Sequence, residues 1–283
     1  MELKEIELDY IPDSEDALLI MGFEGWGNAL DVSSRMVEYL IRKLNAKPFG
    51  KLNSDRFYIY DKNRPKIQIE NGELKQIDSP GGIIYEANKK TASRDIILIN
   101  TAEPELNWNL FSDSILHLCK RMDIKTIVTL GSMFDNVTHT EFVISALASS
   151  PEILDSLKEN NIFPVSYKGP GAIHTVLHSN ANEKGYQSLS LWCHCPYYLQ
   201  GTTHFGLLSH LGNLLSSWGG FELDTEELSI TWRDLSIQIQ DIIDNNPELR
   251  KAIKELRKTS SKYGTNAPES NKIIRLDHFI KSK

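Results

Sequence analysis

The 283 residues carry 31 Lys and Arg against 38 Asp and Glu, a formal net charge of -7 with no dense basic block. A general phosphate-backbone binder needs a concentrated basic face, so nucleic acid is not an expected partner. Hydrophobic residues make up 40% and charged residues 24%, an ordinary globular balance that excludes a disordered chain.

The start, Met1-Glu2-Leu3-Lys4-Glu5, is acidic and lacks an apolar signal region. Apolar runs such as Ala17 to Met21 fall far short of the roughly 20 residues of a bilayer span. We expect a cytoplasmic protein without a membrane partner. Cys119, Cys193 and Cys195 are an odd set, expected as reduced thiols rather than a disulfide framework.

The first strong element is Ala17-Leu18-Leu19-Ile20-Met21-Gly22-Phe23. A continuous apolar run ended by glycine predicts a strand buried on both faces, as in a parallel sheet. After Glu24-Gly25-Trp26-Gly27-Asn28, the residues Val32, Met36, Tyr39 and Leu40 fall on one face of a predicted helix. Ile67-Gln68-Ile69-Glu70, Asn71-Gly72 and Glu73-Leu74-Lys75 read as a β-hairpin, because Asn-Gly supplies the positive φ angles of a tight type I′ turn. It interrupts the β-α alternation, so a mixed sheet is expected.

Alternation resumes with a strand at Ile96–Ile99, a helix from Trp108 to Arg121 and a strand at Thr126–Leu130. A short helix begins near Pro151, another strand covers Leu189–Trp192, and a helix runs from Phe205 to Trp218 before Gly219-Gly220. This order predicts a three-layer α/β/α domain over 1–222. Residues 223–262 read as a helical hairpin. Trp232, Leu235, Ile239 and Ile242 form one seam, Asn246 with Pro247 makes an N-cap, and Leu249, Ile253 and Leu256 continue the seam. That seam must cover either the α/β body or a neighbouring protomer. Residues 263–283 are expected as a flexible tail.

Three loops at strand carboxyl ends are candidate sites, since open α/β sheets hold ligands there. Gly22, Gly25 and Gly27, with Glu24, Trp26 and Asn28 among them, lie between a strand and a helix, where amides and the helix dipole can hold an anion. Their spacing matches neither the dinucleotide fingerprint nor a P-loop, and the other reading is a tight turn under a packed Trp26. Glu103, ahead of Trp108, reads as a general base or ligand anchor, or else as one of two solvated carboxylates with Glu105 near a helix start. Gly131, Ser132, His139 and Thr140 form the third loop. Ser132, Asp135 and His139 suggest a triad, but no Gly-x-Ser-x-Gly elbow surrounds the serine. His194 on a strand would face away from Cys193 and Cys195, so no metal site is expected there. His174 and His178, four apart, read as surface histidines of a helix. No cofactor is implied.

The order of several segments resembles the proteasome assembly chaperone 2 family. They are Gly22-Phe23-Glu24-Gly25-Trp26-Gly27-Asn28-Ala29, Asp55-Arg56-Phe57-Tyr58, Arg64-Pro65 and Glu103-Pro104-Glu105-Leu106-Asn107-Trp108. Thr129-Leu130-Gly131-Ser132, His139-Thr140, Tyr167-Lys168-Gly169-Pro170-Gly171 and Pro196-Tyr197-Tyr198-Leu199 continue the series. The stretch Asn245-Asn246-Pro247-Glu248-Leu249 is similar to the helical appendage of the longer prokaryotic members. The resemblance implies a phosphorylase/hydrolase-like α/β/α domain and homo-oligomers, trimers among them. In eukaryotic relatives it also implies a role in assembling proteasome rings. The family often places a proline before the histidine and Arg-Pro after the threonine, whereas Thr138 and Glu141-Phe142 stand here. The final Ile280-Lys281-Ser282-Lys283 also lacks a hydrophobic-Tyr-any residue ending, so docking through such a tail is not expected.

Two functional readings follow. One is a non-catalytic homo-oligomeric binding or assembly protein, whose partners would be itself and another protein assembly. The alternative is a nucleoside- or phosphate-type enzyme or sensor whose pocket combines the three loops.

Overall fold

The computed structural model describes residues 4–259 apart from 15, 88–93 and 161. The expected tail at 263–283, and with it the last four residues, lies outside the described residues. Strands β1 (Ile6–Leu8) and β2 (Leu18–Glu24) lead into helix α1 (Val32–Lys43). Then come β3 (Lys47–Leu52), α2 (Ser54–Phe57), β4 (Lys66–Glu70), β5 (Glu73–Asp78) and β6 (Gly82–Ala87). The body continues through β7 (Ile96–Ala102), α3 (Trp108–Arg121), β8 (Thr126–Asp135), β9 (Ile144–Ala148) and α4 (Pro151–Ser156). It closes with β10 (Phe163–Pro164), α5 (Ile173–Glu183) and β11 (Gln187–Pro196). Helices α6 (Phe205–Gly219), α7 (Glu226–Asn245) and α8 (Pro247–Thr259) end the described chain.

Among the described residues, nine strands form one sheet in the order β1-β3-β6-β7-β2-β8-β11-β9-β10. The central four, β7, β2, β8 and β11, are parallel, while β6 and β9 run antiparallel to them on either side. The sheet is mixed as expected, but the hairpin is not the cause. β4 and β5 pair only with each other, outside the main sheet.

Burial on both faces explains the continuous apolar run of β2. Leu18 and Ile20 join Met36 and Leu40 of α1 and Leu207 and Leu211 of α6 in one core. Leu19, Met21 and Phe23 point the other way, into a core with Phe111 and Ile115 of α3 and Ile173 and Leu177 of α5. These two cores make the helix–sheet–helix layering. Gly22 sets the spacing of one of them: a Cβ there would stand 2.7 Å from Val37 Cγ2 and 2.8 Å from the Ser33 carbonyl oxygen.

The carboxyl-terminal helices seat on the chain's own body. Leu228 at the start of α7 enters the first core, and Ser209 of α6 hydrogen-bonds Ser229 of α7 at 2.8 Å. Further on, Trp232, Ile239, Ile243, Leu249 and Ile253 bury against Tyr198 and Leu199, with Leu30 and Phe205 packed alongside. Intrachain burial thus accounts for the seam, which needs no neighbouring protomer to cover it. The predicted cap also forms, since Asn246 Oδ1 accepts hydrogen bonds from the amides of Glu248 at 3.1 Å and Leu249 at 3.0 Å. Replacing Asn246 with alanine is expected to cost about 1 kcal/mol in urea denaturation. An unchanged midpoint would mean that the cap is idle.

Candidate functional site

The carboxyl ends of β2, β7 and β8 place the three loops along one edge of the sheet. Gly25 has φ +122, a backbone conformation open to glycine, and a Cβ there would lie 3.2 Å from Glu103 Cβ. The two strand ends are tied where the Glu103 amide donates to the Glu24 carbonyl at 2.8 Å. The Glu103 carboxylate accepts the Ile173 amide at 2.9 Å. It therefore satisfies an otherwise unpaired donor in the first turn of α5. Glu105 is also engaged rather than solvated, taking the Ile59 amide at 2.5 Å and the Asn63 side chain at 3.2 Å.

The turn after β2 is stitched to β8 and α1. Ser132 donates from its amide to the Gly27 carbonyl at 2.8 Å and from its hydroxyl to the Ala29 carbonyl at 2.9 Å. Asn28 Oδ1 accepts the amides of Ser33 and Ser34, at 2.9 and 3.3 Å, so these first-turn donors of α1 already have a partner. Ser33 Oγ in turn accepts the Phe23 amide and donates to the Leu130 carbonyl. Leu30 and Asp31 hold left-handed φ angles of 53 and 56, a conformation that costs non-glycine residues of order 1 kcal/mol.

The remaining predicted residues fall in different settings. Trp26 is 62% exposed, not packed over its turn. Glu24 and Thr140 are also exposed, and Gly22 is buried beneath α1. Trp108 donates to the Pro104 carbonyl at 2.5 Å and packs on the second core. Trp192 lies across both Gly27 and Gly131, 3.1 and 2.8 Å from where a Cβ would stand. His139 is buried, and the Tyr198 hydroxyl meets both its amide and its Nδ1, at 2.6 and 2.9 Å. Its ring centroid lies 6.4 Å from that of Trp232. The structure thus brings Gly25 to Glu103 and Gly27 to Ser132, while the His139 ring packs with Tyr198 and Trp232 beneath the carboxyl-terminal helices.

Ser132, Asp135 and His139 do not form a triad, because their side chains bond the Ala29 carbonyl, His194 and Tyr198 respectively. His174 is not a surface residue. Its Nε2 donates to the Leu130 carbonyl at 2.8 Å, and its ring lies between Phe23 and Trp192 at centroid distances of 4.7 and 4.8 Å. Tertiary packing turned this face of α5 inward, and burial lowers the imidazole pKa to about 4. His204, also buried, uses Nδ1 to accept the Leu207 amide at the start of α6. Burial, and secondarily the nearby His139, lower its pKa to about 3. Cys193 and Cys195 are buried in the first core, and burial raises both thiols. Among the described residues there is no metal-binding cluster of His, Cys, Asp and Glu.

Two clefts of about 620 and 450 Å³ lie at the opposite, amino-terminal edge of the sheet, near Tyr186 and the first residues of β8 and β11. Among the described residues no helix is long and apolar enough to cross a membrane.

Known proteins share this architecture. A protein of unknown function from Corynebacterium glutamicum ATCC 13032 matches with a TM-score of 0.80 at 19% identity, over 90% of this chain and 97% of that one. A proteasome-assembly chaperone homologue from Mycobacterium tuberculosis matches at 0.71 and 24%, over 83% and 98%. An archaeal proteasome activator from Pyrococcus furiosus matches at 0.64 and 17%, over 84% and 99%. Identities this low establish a shared fold and nothing finer. A stretch of 181 residues, 57% of the chain, is 23% identical to part of an ATP-dependent helicase/nuclease of Enterococcus faecalis, but spans only 14% of that protein. The model of the PAC2 family matches residues 19–243, from β2 to near the end of α7, and the chain belongs to that family.

Proposed function

We propose that this protein works through its surfaces, as a cytoplasmic homo-oligomeric binding or assembly protein of the proteasome-assembly-chaperone kind. The observation that carries this reading is the hairpin β4–β5. Ile67 pairs with Ile77 and Ile69 with Leu74, and a register shift inserts Lys75 without a partner. This bulge lets Leu74 and Ile77, three residues apart, share one face with Ile67 and Ile69. Ile67 is 60% exposed and Leu74 55%. A two-stranded ribbon is marginally stable alone, and a contiguous exposed aliphatic face marks an interaction surface.

Family membership supports the same reading, as do a chaperone homologue and a proteasome activator of the same fold. The pocket alternative has less behind it, because Glu103, Asn28 and Ser132 already bond within the chain. We read residues 1–222 as the α/β unit and 223–262 as a helical segment seated upon it.

Light scattering after size exclusion at micromolar concentration tests the proposal. The expected result is a closed oligomer, such as a trimer, that falls to a monomer in Ile69→Asp/Leu74→Asp with unchanged far-ultraviolet circular dichroism. A monomeric wild-type chain overturns the oligomer. A variant that stays assembled removes the hairpin from the interface.

A further inference from the structure

Three polar side chains on neighbouring strands line up on the sheet face that α5 covers. Asp135 ends β8, Ser145 lies on β9, and His194 lies on β11 between them. Asp135 Oδ2 stands 2.7 Å from His194 Nδ1, and His194 Nε2 stands 2.9 Å from Ser145 Oγ. With a carboxylate at Nδ1, that nitrogen carries the proton and donates it. Nε2 is then left as an acceptor facing the serine hydroxyl, the tautomer a serine nucleophile requires. Burial opposes ionisation of Asp135, but hydrogen bonds from His194 and the Asn136 amide hold its carboxyl below the ordinary value.

The line lies near solvent at one end of the sheet. Ser145 is 5% and His194 9% exposed, but the Asp135 side chain is 41% exposed. Ser145 is paired in register with Trp192 on one side and Phe163 on the other, so both rings project from the same face as its hydroxyl. Phe163 is itself 37% exposed. The Trp192 ring leans away across Gly131 and Gly27, so the aromatic flank of the serine is Phe163, and with no cationic side chain among its strand partners the setting suits a small apolar acyl group.

We propose that Ser145 is a nucleophilic serine, activated by His194 and Asp135, that accepts an acyl group from esters with a short apolar acyl chain. Ser145 Oγ attacks the ester carbonyl carbon as its proton passes to His194 Nε2. The tetrahedral intermediate collapses, the carbon–oxygen bond to the alcohol breaks, and the leaving oxygen takes the proton from His194. Ser145 keeps the acyl group as an ester, with no change of oxidation state. Asp135 acts through His194 and is a positioning residue. Ser145 lies in a strand paired on both sides, where backbone amides serve the ladder. Each oxyanion donor is worth about 100-fold or more in rate, so slow single acylation is expected rather than rapid turnover.

The test is incubation of the full chain with excess p-nitrophenyl butyrate, followed by intact mass and peptide mapping. One butyryl group on Ser145 is expected. Ser145→Ala is expected to carry none, His194→Gln to acylate about 100-fold more slowly, and Asp135→Asn at least tenfold more slowly, with circular dichroism confirming that each variant folds. Mapping on the wild-type chain keeps the result independent of variant folding. An unmodified Ser145 after overnight exposure, a butyryl group elsewhere in its place, or an undiminished rate in His194→Gln overturns the proposal. None of these outcomes depends on the oligomeric state.

Discussion

Trp232→Ala is expected to destabilise the protein by about 3–5 kcal/mol, the range for emptying a buried aromatic site. The indole stacks on the His204 ring at 4.0 Å between centroids with an interplanar angle of 21°. Its edge lies so close to the Gly206 backbone that a Cβ there would fall within 2.5 Å of the Trp232 ring. It also joins the cluster of Tyr198, Leu199 and Ile239 that fastens α7 to the body. Removing it opens a void that Gly206 cannot fill and strips one face from His204. Urea denaturation measures the loss, and hydrogen exchange should show α7 and α8 losing protection before the central strands. A loss below about 1 kcal/mol would mean that the helical segment is held without this ring.

Acidification is the second large effect. His174 and His204 have folded-state pKa values of about 4 and about 3 against an ordinary value of 6.5. Between those values the unfolded chain binds more protons than the folded one, so stability rises with pH and is lost as pH falls below the unfolded value. Going from pH 7 to pH 5 is expected to cost about 2 kcal/mol for each histidine, roughly 4 kcal/mol together. Most of the loss falls between pH 6.5 and 4. Urea midpoints at the two pH values read this directly. His204→Asn, which keeps an acceptor for the Leu207 amide, should remove about half of the pH dependence whatever its effect at pH 7. An unaltered dependence in that variant would move the effect away from His204.

The layers were legible because burial on both faces writes itself as uninterrupted apolar runs, seen in Leu18–Phe23 and Ile96–Ile99. The helix α1 followed from spacing, and the cap at Asn246 from local chemistry. The sheet's flank was not legible. In β3, Pro48 and Gly50 break the pattern of a strand, and its register shifts between those two residues. Trp26 and His174 were misplaced in opposite senses, one taken for packed and one for exposed, because side-chain burial there depends on elements distant in sequence. The same distance hid the Asp135–His194–Ser145 line. His194 lies 59 and 49 residues from its two partners, whereas the sequence drew attention to Ser132 and His139 merely because they stand close to Asp135 in the chain. Alternation along the strand did correctly separate His194 from Cys193 and Cys195.

The position of β11 has a consequence for how the chain is made. It lies between β8 and β9, both of which precede it. During synthesis the facing edges of those two strands leave the ribosome with no strand between them, each presenting unpaired backbone groups. β7, β2 and β8 can associate first, but the other flank has to wait for Gln187–Pro196 to insert. Contacts joined over such sequence separations form slowly, and an open sheet edge held for that interval invites pairing with other nascent chains. The interval between synthesis of β8 and synthesis of β11 is therefore when this chain is most exposed to mispairing.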